Sequence, residues 1–378
     1  MHSHFHTLYF EATRQCNFNC AFCSSGSNGV YENENELTTE EIKQRILLPG
    51  YRLGTRYIEF SGGEYLLRKD AFELLEYAHS LGYRIGIASN GSTLTKPVLA
   101  RLQAILGDNL LISLGVNSLD EENMKTRDAE YSFFVKKVAE LEEHNIRMNI
   151  CVTMGRFNAE QFEKTVAHIR DTFKLPFNRI PFVPRNHPDK TNMIDKELLR
   201  DYFHPTLRKY FHGYVSYVPF FLSPQFYEEI SGQNEAKNQV PTNPSMGCWC
   251  GSFYAINPVG DVAPCPLLGD NVSGGNVRET SLSDILFESP LFQRIVKRET
   301  FGGKCGKCKF RFTCGGCRSM AYYYNGDVFG EDPTCFIEDL SESELVEMEK
   351  EITANFRNYV KMARFGGLFE KPQPGKDS

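Results

Sequence analysis

Short apolar runs alternate with amphipathic helical patterns through the first half of this chain. The runs are rich in β-branched and aromatic residues and end at glycine or polar turns, which is typical of buried strands. They lie at 6–12, 56–62, 83–89, 110–116, 146–153 and 177–183. Six strand–helix units with short connections predict a parallel sheet, either wound flat or curled into a barrel.

The helices between these strands show capping signals and apolar stripes. Asp70 and Glu73 form a candidate capping box, and Gly82 follows the last turn of the pattern that they begin. A second helix is predicted to start at Asn158. Two further helical patterns cover 38–48 and 132–145. The sequence therefore predicts an α/β fold for this half.

The second half of the chain is less regular. Segment 184–247 reads as loops, and its aromatic-rich part at 210–230 is predicted to form a packed joint between domains. Near the end, Ser341 and Glu344 form a capping box before a long helix, and the tail after Gly367 is expected to be disordered.

Composition and charge exclude some classes of partner. The chain has 378 residues, 41% of them hydrophobic and 24% charged, with a net charge of −6. This balance does not favour a nucleic-acid or membrane surface as the main partner. No apolar run approaches the roughly 20 residues that span a bilayer, and the first residues lack a signal-peptide pattern. We therefore expect a cytoplasmic protein with reduced thiols.

Cysteine is the unusual feature of the composition. Of twelve cysteines, three lie at 16–23, eight lie at 248–335, and Cys151 stands alone within an apolar strand. Closely spaced cysteines in a reducing compartment point to metal binding rather than to disulfides. Cys151 is expected to be a thiol of the apolar core.

The first cysteine block follows the first predicted strand. "SGGE" at 61–64 follows the second strand, and "SNG" at 89–91 follows the third. Since the carboxyl ends of parallel strands meet at one edge of a sheet, the three segments can line one pocket. Three thiolates can hold three corners of a 4Fe-4S cluster and leave the fourth iron open. The alternative is a zinc site completed by a distant histidine.

The spacing Cys16-x3-Cys20-x2-Cys23, with Phe22 before the last cysteine, resembles the signature of the radical S-adenosylmethionine (SAM) superfamily. The resemblance implies a partial (β/α)6 TIM-like barrel. It also implies that these cysteines hold a catalytic 4Fe-4S cluster whose open iron binds SAM. Reductive cleavage of SAM then yields a 5′-deoxyadenosyl radical, which abstracts hydrogen from a substrate.

Further positions match the SAM-binding pattern of that family. Gly62, Gly63 and Glu64 resemble the motif that binds the SAM amino group, because glycines let the backbone approach closely and a carboxylate accepts bonds from an ammonium. By the same resemblance, Asn90 lies under the ribose and Arg127 pairs with the SAM carboxylate, although an ordinary surface arginine is an equal alternative. On the fourth strand either Ser113 or Gly115 faces the ribose, and Gly115 is favoured.

The second cysteine block resembles the SPASM extension of radical SAM enzymes, including its "NPVGDVAPCP" and "GNVRETSLSDIL" segments. Carried over by position, the resemblance implies two auxiliary 4Fe-4S clusters, which brings the total to three. The first set of ligands is Cys248, Cys250, Cys265 and Cys317, and the second is Cys305, Cys308, Cys314 and Cys335. Two zinc sites are the alternative.

These assignments divide the chain into four parts. They are a radical SAM barrel at 1–205, a bridging region at 206–247, a cysteine-rich SPASM domain at 248–340, and a C-terminal helix and tail at 341–378.

Two features of the second block depart from the family. Two residues, rather than three, separate Cys314 from Cys317. Relatives that mature sulfatases place a catalytic aspartate directly after the cysteine equivalent to Cys265. Here Pro266 occupies that position and Asp270 lies four residues further on, so that activity is not expected.

The resemblance predicts an oxidoreductase that oxidises or cross-links a peptide or protein side chain. The alternatives are a sugar or cyclitol dehydrogenase or epimerase of the same superfamily, and a non-catalytic iron–sulfur carrier or zinc protein. The expected partners are the peptide or small-molecule substrate and a flavodoxin- or ferredoxin-type electron donor. A separate peptide-recognition protein would join them if the substrate is a peptide.

Overall fold

The computed structural model describes residues 5–27, 35–186, 189–210, 218–223 and 247–364, with side chains up to residue 354. The predicted disordered tail after Gly367 and most of the aromatic-rich segment at 210–230 lie outside these ranges. Within the described part of the chain, no helix is both long enough and apolar enough to cross a membrane.

One eight-stranded sheet forms the frame of the molecule. Its order is β6-β5-β4-β3-β2-β1-β7-β8, and it curls into a half-barrel. All neighbours pair in parallel except β7 and β8, which are antiparallel. The strands are β1 Thr7–Thr13, β2 Tyr57–Gly62, β3 Arg84–Ser89, β4 Leu110–Gly115, β5 Arg147–Met154, β6 Phe177–Pro181, β7 Phe253–Ile256 and β8 Val262–Ala263. Strands β1 to β6 lie side by side in the same order as along the chain. Of the two predicted alternatives, the sheet curled into a barrel is therefore correct and the flat sheet is not.

Helices cover the outer face of the sheet and form most of the second half. Those of the first half are Thr39–Glu41, Leu48–Arg52, Ala71–Leu81, Lys96–Leu106, Glu121–Arg127, Tyr131–Glu143, Phe162–Asp171, Lys196–Leu198 and His204–Tyr210. Those of the second half are Leu282–Glu288, Pro290–Ile295, Gly303–Lys307, Arg311–Cys314, Arg318–Asn325 and Glu342–Arg364. Two π-helical segments, Ile42–Leu47 and Leu199–Phe203, continue short helices.

Three predicted helix starts have different outcomes. The Ser341–Glu344 capping box is confirmed, since the Ser341 hydroxyl and the Glu344 carboxylate each bond to the other residue's backbone N–H. The box predicted at Asp70 is wrong, because the Asp70 carboxylate binds Arg68 and Thr39 instead. The helix predicted from Asn158 begins at Phe162, after a 3-10 turn.

The two faces of the sheet differ in chemistry. Alternate side chains such as Phe10, Phe60, Ile87 and Ile150 are fully buried in the apolar core under the helices. The other set is polar, and we call the space that it lines the lumen. Its members are Tyr9, Glu11, Glu59, Ser61, Ser113, Asn149 and Cys151. Strand alternation therefore gives the barrel an apolar jacket and a polar interior.

The cysteine-rich half joins this barrel directly. Strand β7 pairs with β1 from Thr7 to Phe10, so the hairpin of the second half extends the barrel sheet. Further along, Phe221 packs its ring against Phe310 and Phe336. Although most of the bridging segment is not described, Phe221 contacts rings from the cysteine-rich half.

Candidate active site

The loop that carries the first three cysteines follows β1 and is held against the end of the helix Glu121–Arg127. The Cys20 thiol donates to the carbonyl oxygen of Arg127 at 3.4 Å, and the Ala21 N–H donates to that of Thr126 at 2.9 Å. The Asn19 N–H donates to the Asp128 carboxylate at 3.0 Å. These bonds fix the loop at the carboxyl edge of the barrel, as the sequence predicts.

The three thiols lie close enough to influence one another. Burial is the largest influence on Cys20 and raises its pKa to about 12, and the Cys23 and Cys16 thiols also raise it. Burial likewise raises the pKa of Cys16. The folded chain therefore disfavours free thiolates here, whereas a bound iron cluster supplies the positive charge that thiolates require. Three sulfur donors with one open corner fit the predicted cluster.

The glycines of the SGGE turn allow its backbone to touch the start of the cysteine loop. A Cβ atom on Gly62 would lie 2.0 Å from the Thr13 carbonyl oxygen, and one on Gly63 would lie 2.0 Å from that of Gln15. Gly62 also has φ of +122°. The Gly63 and Glu64 N–H groups donate to the same two carbonyls, each at 2.7 Å. The motif thus anchors the cysteine loop through its backbone.

The Glu64 carboxylate is fully buried and accepts three hydrogen bonds from the loop after β3. Its Oε1 accepts from the hydroxyls of Ser89, at 2.7 Å, and Thr93, and its Oε2 accepts from the Asn90 N–H at 2.8 Å. Burial raises its pKa. Glu64 therefore ties two strand ends together. Direct contact between its carboxylate and the SAM ammonium stays a prediction.

Asn90 lies between the turn and the cysteine loop. Its side-chain amide donates to the Cys16 sulfur at 3.7 Å and to Asn17 at 3.2 Å. It also lines a pocket, which includes Phe18, Gly115, Arg127 and Phe133. The structure thus brings Asn90, Gly115 and Arg127 to one cavity beside the three thiols, as expected for a shared ligand site.

Arg127 is half-buried and is held by partners inside the barrel. Its Nε donates to Asn117 at 3.1 Å, its Nη2 donates to the Cys151 carbonyl at 3.4 Å, and its guanidinium lies 4.7 Å from the Phe22 ring. Burial lowers its pKa. A Cβ on Gly115 would lie 1.9 Å from Nη1. The missing side chain at Gly115 makes room for Arg127, and these contacts favour a site residue over an ordinary surface arginine. Its pairing with the SAM carboxylate stays a prediction.

The lumen below this site holds polar groups that the sequence analysis missed. The Tyr9 hydroxyl bonds to Ser61 at 2.5 Å, and Ser113 bonds to Glu59, whose pKa is raised by burial. Burial raises the pKa of Cys151 to about 11, and Glu59 and Arg179 also influence it. Cys151 therefore faces the lumen and not the apolar core. Polar residues at every second position of a strand predicted as buried are the signal that could have identified this face.

The eight thiols of the second block fall into two groups of four. In the first, Cys250 hydrogen-bonds to Cys248 and Cys265, and Cys317 interacts electrostatically with Cys248. In the second, Cys305 interacts with Cys308, Cys314 and Cys335. The groups have the membership that the resemblance implies, and the binding of one cluster by each group stays a prediction.

The donor chemistry of both groups fits a four-thiolate cluster. Among the described residues, no group of three His, Cys, Asp or Glu side chains is arranged to hold a metal ion. The four thiolates of a 4Fe-4S cluster bind four different irons, and they are spread more widely than the ligands of one ion.

A buried ion-pair network joins the two cysteine regions. Arg185 binds both oxygens of Glu11 at 2.8 Å and donates to the carbonyl of Pro266, next to Cys265. Asp270 binds Arg14, two residues before Cys16, and its Oδ2 lies 3.7 Å from the Arg185 Nε.

The Asp270 carboxylate has several partners in this network. Its carboxylate also accepts from Asn186 and Asn257, each at 2.7 Å. Burial favours the neutral acid, but the neighbouring Arg185 and these donors lower the pKa of Asp270 overall. Asp270 thus connects the two cysteine regions.

Two family models match the chain. The Radical SAM superfamily model matches residues 10–169, and the SPASM iron–sulfur cluster-binding domain model matches residues 248–309. The curated "AdoMet-dependent heme synthase" of Methanosarcina barkeri is 27% identical over 340 residues, which cover 87% of this chain and 95% of that protein. The protein with the same name from Nitratidesulfovibrio vulgaris is 26% identical, covering 87% and 91%.

Two solved structures have a similar fold. Streptococcus suis SuiB, bound to its precursor peptide SuiA, superposes with a TM-score of 0.65 at 18% identity, covering 89% of this chain and 76% of that one. The enzyme anSMEcpe with bound AdoMet gives a TM-score of 0.62 at 14% identity, covering 95% and 99%. At these identities the likeness establishes the fold alone.

Proposed function

This chain is an enzyme of the radical SAM superfamily with a SPASM domain, and we propose that it is an oxidoreductase that removes an electron from a substrate radical. One observation carries the oxidative assignment. The network of Arg14, Asp270 and Arg185 links the three-thiol loop to the loop of Cys265. A hydrogen-abstracting centre and an electron-accepting centre are thereby fixed relative to each other, as a net oxidation requires.

In this proposal each residue of the first site has a defined role. Cys16, Cys20 and Cys23 hold a 4Fe-4S cluster, which together with SAM supplies the 5′-deoxyadenosyl radical. Phe22 packs on Arg127, which provides a buried cation for the SAM carboxylate.

Three further positions shape the SAM pocket. Gly115 leaves the space that Arg127 occupies. Asn90 offers a side-chain amide at the pocket wall, and Glu64 fixes the loop that carries Asn90.

The second block is proposed to hold two auxiliary clusters, which brings the total to three. Cys248, Cys250, Cys265 and Cys317 hold the cluster that is linked to the barrel by Arg185. The other four thiols hold the second cluster. Since all these thiols must stay reduced for iron binding, we also propose a cytoplasmic location.

A small molecule is the better-supported substrate. The sequence relatives named heme synthase match this chain through both domains and over 95% and 91% of their own lengths. We therefore propose a haem-related tetrapyrrole with carboxylate side chains, which the superfamily chemistry would oxidise. Peptide modification is the second candidate, favoured by the fold shared with SuiB in complex with SuiA. For that case a separate peptide-recognition protein is an expected partner.

Electrons are proposed to be exchanged with a flavodoxin- or ferredoxin-type carrier. Lys304, Lys307, Lys309 and Arg311 lie within four residues of Cys308 along the chain, and Cys308 is itself only partly buried. The basic segment contrasts with the net charge of −6 and suits an acidic carrier.

An anaerobic assay of the reconstituted protein tests the proposal. The protein should bind about twelve iron atoms, and replacement of Cys16, Cys20 and Cys23 by Ala should remove about four. With SAM and a reductant, an iron porphyrin that carries propionate groups should stimulate 5′-deoxyadenosine formation and be oxidised. Stimulation by a peptide pool and not by the porphyrin would favour the second candidate. Zinc-loaded protein without iron-dependent SAM cleavage would overturn both.

A further inference from the structure

The two largest fully buried side chains among the described residues are both arginines of the cysteine-rich half. Arg298 is 2% exposed and Arg318 is 0% exposed. Removing a guanidinium from water is unfavourable unless hydrogen bonds and opposite charge replace the lost hydration. The surroundings of the two side chains should therefore show what provides that charge.

Arg298 lies beside thiols of both four-thiol groups. Its Nη2 donates to the carbonyl oxygen of Cys248 at 2.6 Å, and its Nη1 donates to that of Phe312 at 2.8 Å. Electrostatically it interacts with Cys248 and Cys250 of the first group and with Cys314 of the second. One guanidinium is thus shared between the two groups.

Arg318 has a similar position. Its Nη2 contacts the Cys305 sulfur of the second group at 3.6 Å, and it also interacts electrostatically with Cys248 of the first. Its remaining N–H groups donate to carbonyl oxygens of the nearby backbone. These belong to Gly316 at 3.1 Å, Val328 at 3.2 Å and Gly330 at 2.6 Å.

Two glycines admit the arginines at the point where the chain crosses from one group to the other. Gly315 and Gly316 separate Cys314 from Cys317 and have φ of +73° and +60°, where side chains are disfavoured. A Cβ on Gly315 would lie 2.9 Å from the Arg298 guanidinium carbon, and one on Gly316 would lie 2.6 Å from Arg318 Nη2. The two-residue spacing between these cysteines thus makes room for both cations.

We propose that Arg298 and Arg318 are shared counter-charges that raise the reduction potentials of both auxiliary clusters. A cluster held by four thiolates carries net negative charge, which increases when it takes up an electron. Cations buried next to it stabilise the reduced form more than the oxidised form, because electrostatic interactions are strong where water is excluded.

This inference rests on the proposed clusters of the second block. An electron that leaves the substrate radical would then reach an acceptor made more oxidising by two cations. From there it would pass to the flavodoxin- or ferredoxin-type carrier.

Asp332 carries an opposing charge close to thiols of both groups and offers an independent test. This fully buried carboxylate accepts from the backbone N–H of Cys317 at 2.6 Å and from that of Thr334 at 2.9 Å. It also interacts with Cys305 and Cys317. Its negative charge should lower the same potentials that the arginines raise.

Potentiometric titration followed by electron paramagnetic resonance tests the proposal on the full chain. The proposed SAM-binding cluster is removed by replacing Cys16, Cys20 and Cys23 with Ala. Only the resonance signals of the two auxiliary clusters then remain. Arg298→Gln and Arg318→Gln should each lower the midpoint potentials of both clusters. We expect the equilibrium constant for reduction of each cluster to fall at least tenfold. For one electron this lowers the midpoint potential by 59 mV or more. The lysine variants should retain most of the wild-type potential, and Lys297→Gln, an exposed neighbour, should leave it unchanged.

The other outcomes also decide the question. Unchanged potentials in variants with full iron content would overturn the proposal, and a shift confined to one cluster would show that the charges are not shared. If the glutamine variants lose iron, Asp332→Asn decides, since both potentials must then rise, and a fall or no change overturns the inference. A wild-type protein without iron in the second block would overturn the proposed function itself.

Discussion

Arg127 and Gly115 occupy complementary space, since the Arg127 Nη1 atom lies 1.9 Å from where a Cβ on Gly115 would stand. The guanidinium is held there by Asn117 and by the carbonyl of Cys151, the residue paired with Gly115 on the next strand. Gly115, the last residue of β4, thus affects the site by leaving space for the Arg127 side chain. The absence of a side chain at Gly115 thus determines where the guanidinium proposed to bind the SAM carboxylate can lie.

Gly115→Ala should weaken SAM binding without loss of the clusters. The new methyl group would displace the guanidinium, and a lost charge-assisted hydrogen bond costs about 1.5–3 kcal/mol. Equilibrium binding of SAM to anaerobically reconstituted protein measures this effect. Gly302→Ala is the control, because its Cβ would meet its nearest neighbour at an ordinary 3.7 Å. Unaltered SAM affinity in Gly115→Ala would remove Arg127 from the proposed site.

Glu64→Ala should reduce the free energy of unfolding as well as SAM affinity. The substitution leaves three donors of the loop after β3 without their buried acceptor, at a cost of about 1–3 kcal/mol each. Chemical denaturation and SAM binding should be measured in parallel with Ser89→Ala, which removes one of the donors. If Glu64→Ala weakens SAM binding by about 1.5–3 kcal/mol while Ser89→Ala leaves SAM affinity unchanged, the carboxylate contacts the SAM ammonium directly.

The strands were predictable because short runs rich in β-branched and aromatic residues end at glycine or polar turns. The first five predicted strands agree with the observed ones to within one residue at each end, for example 146–153 against Arg147–Met154. The sixth was predicted to reach 183 but ends at Pro181. The division of the eight thiols into two ligand sets is what the resemblance implies, and it stays a prediction.

Two predictions were wrong because the structure around the residue, and not the local sequence pattern, decides its contacts. At Asp70 the local pattern favours a capping box, but Arg68 takes the carboxylate in a bidentate pair and Lys43 binds Glu73. Cys151 was expected in the apolar core because its neighbours Ile150 and Val152 are apolar, yet those two face the helices. The strand period of two shows only that neighbouring side chains face opposite sides of the sheet. Which side encloses the polar lumen depends on how the sheet curves.

His204 should make the protein less stable in mild acid. Burial is the main reason that its pKa falls from 6.5 to about 3. The unfolded chain therefore takes up a proton below about pH 6.5 that the folded protein refuses, and stability decreases as the pH falls through this window. The expected loss is up to about 1.4 kcal/mol per pH unit.

Denaturation at pH 7.5 and pH 5.5 measures this effect. His204→Phe should reduce the difference in unfolding free energy between the two values, while the exposed His6→Asn should leave it as in the wild type. Equal losses in all three proteins would assign the acid sensitivity to other groups, including the clusters.

The distinction between oxidation and epimerisation depends on Cys265 and Cys151. If the substrate radical is oxidised, Cys265→Ala disables the first auxiliary cluster and should block product while 5′-deoxyadenosine still forms in part. Epimerisation needs no net electron loss, but it needs a hydrogen donor opposite the face that loses hydrogen. Cys151 faces the lumen next to Arg127, and burial keeps its thiol protonated by raising its pKa to about 11. The structure thus makes it a stronger donor candidate than the sequence suggested.

Product and 5′-deoxyadenosine yields should therefore be compared for Cys265→Ala, Cys151→Ala and Cys151→Ser, with iron content determined for each. We expect Cys265→Ala alone to separate the two yields, because only that change removes the electron acceptor. Cys151→Ser keeps a side chain of the same shape, but its hydroxyl gives up a hydrogen atom far less readily than a thiol. Loss of product in both Cys151 variants, with Cys265→Ala still active, would replace oxidation by epimerisation.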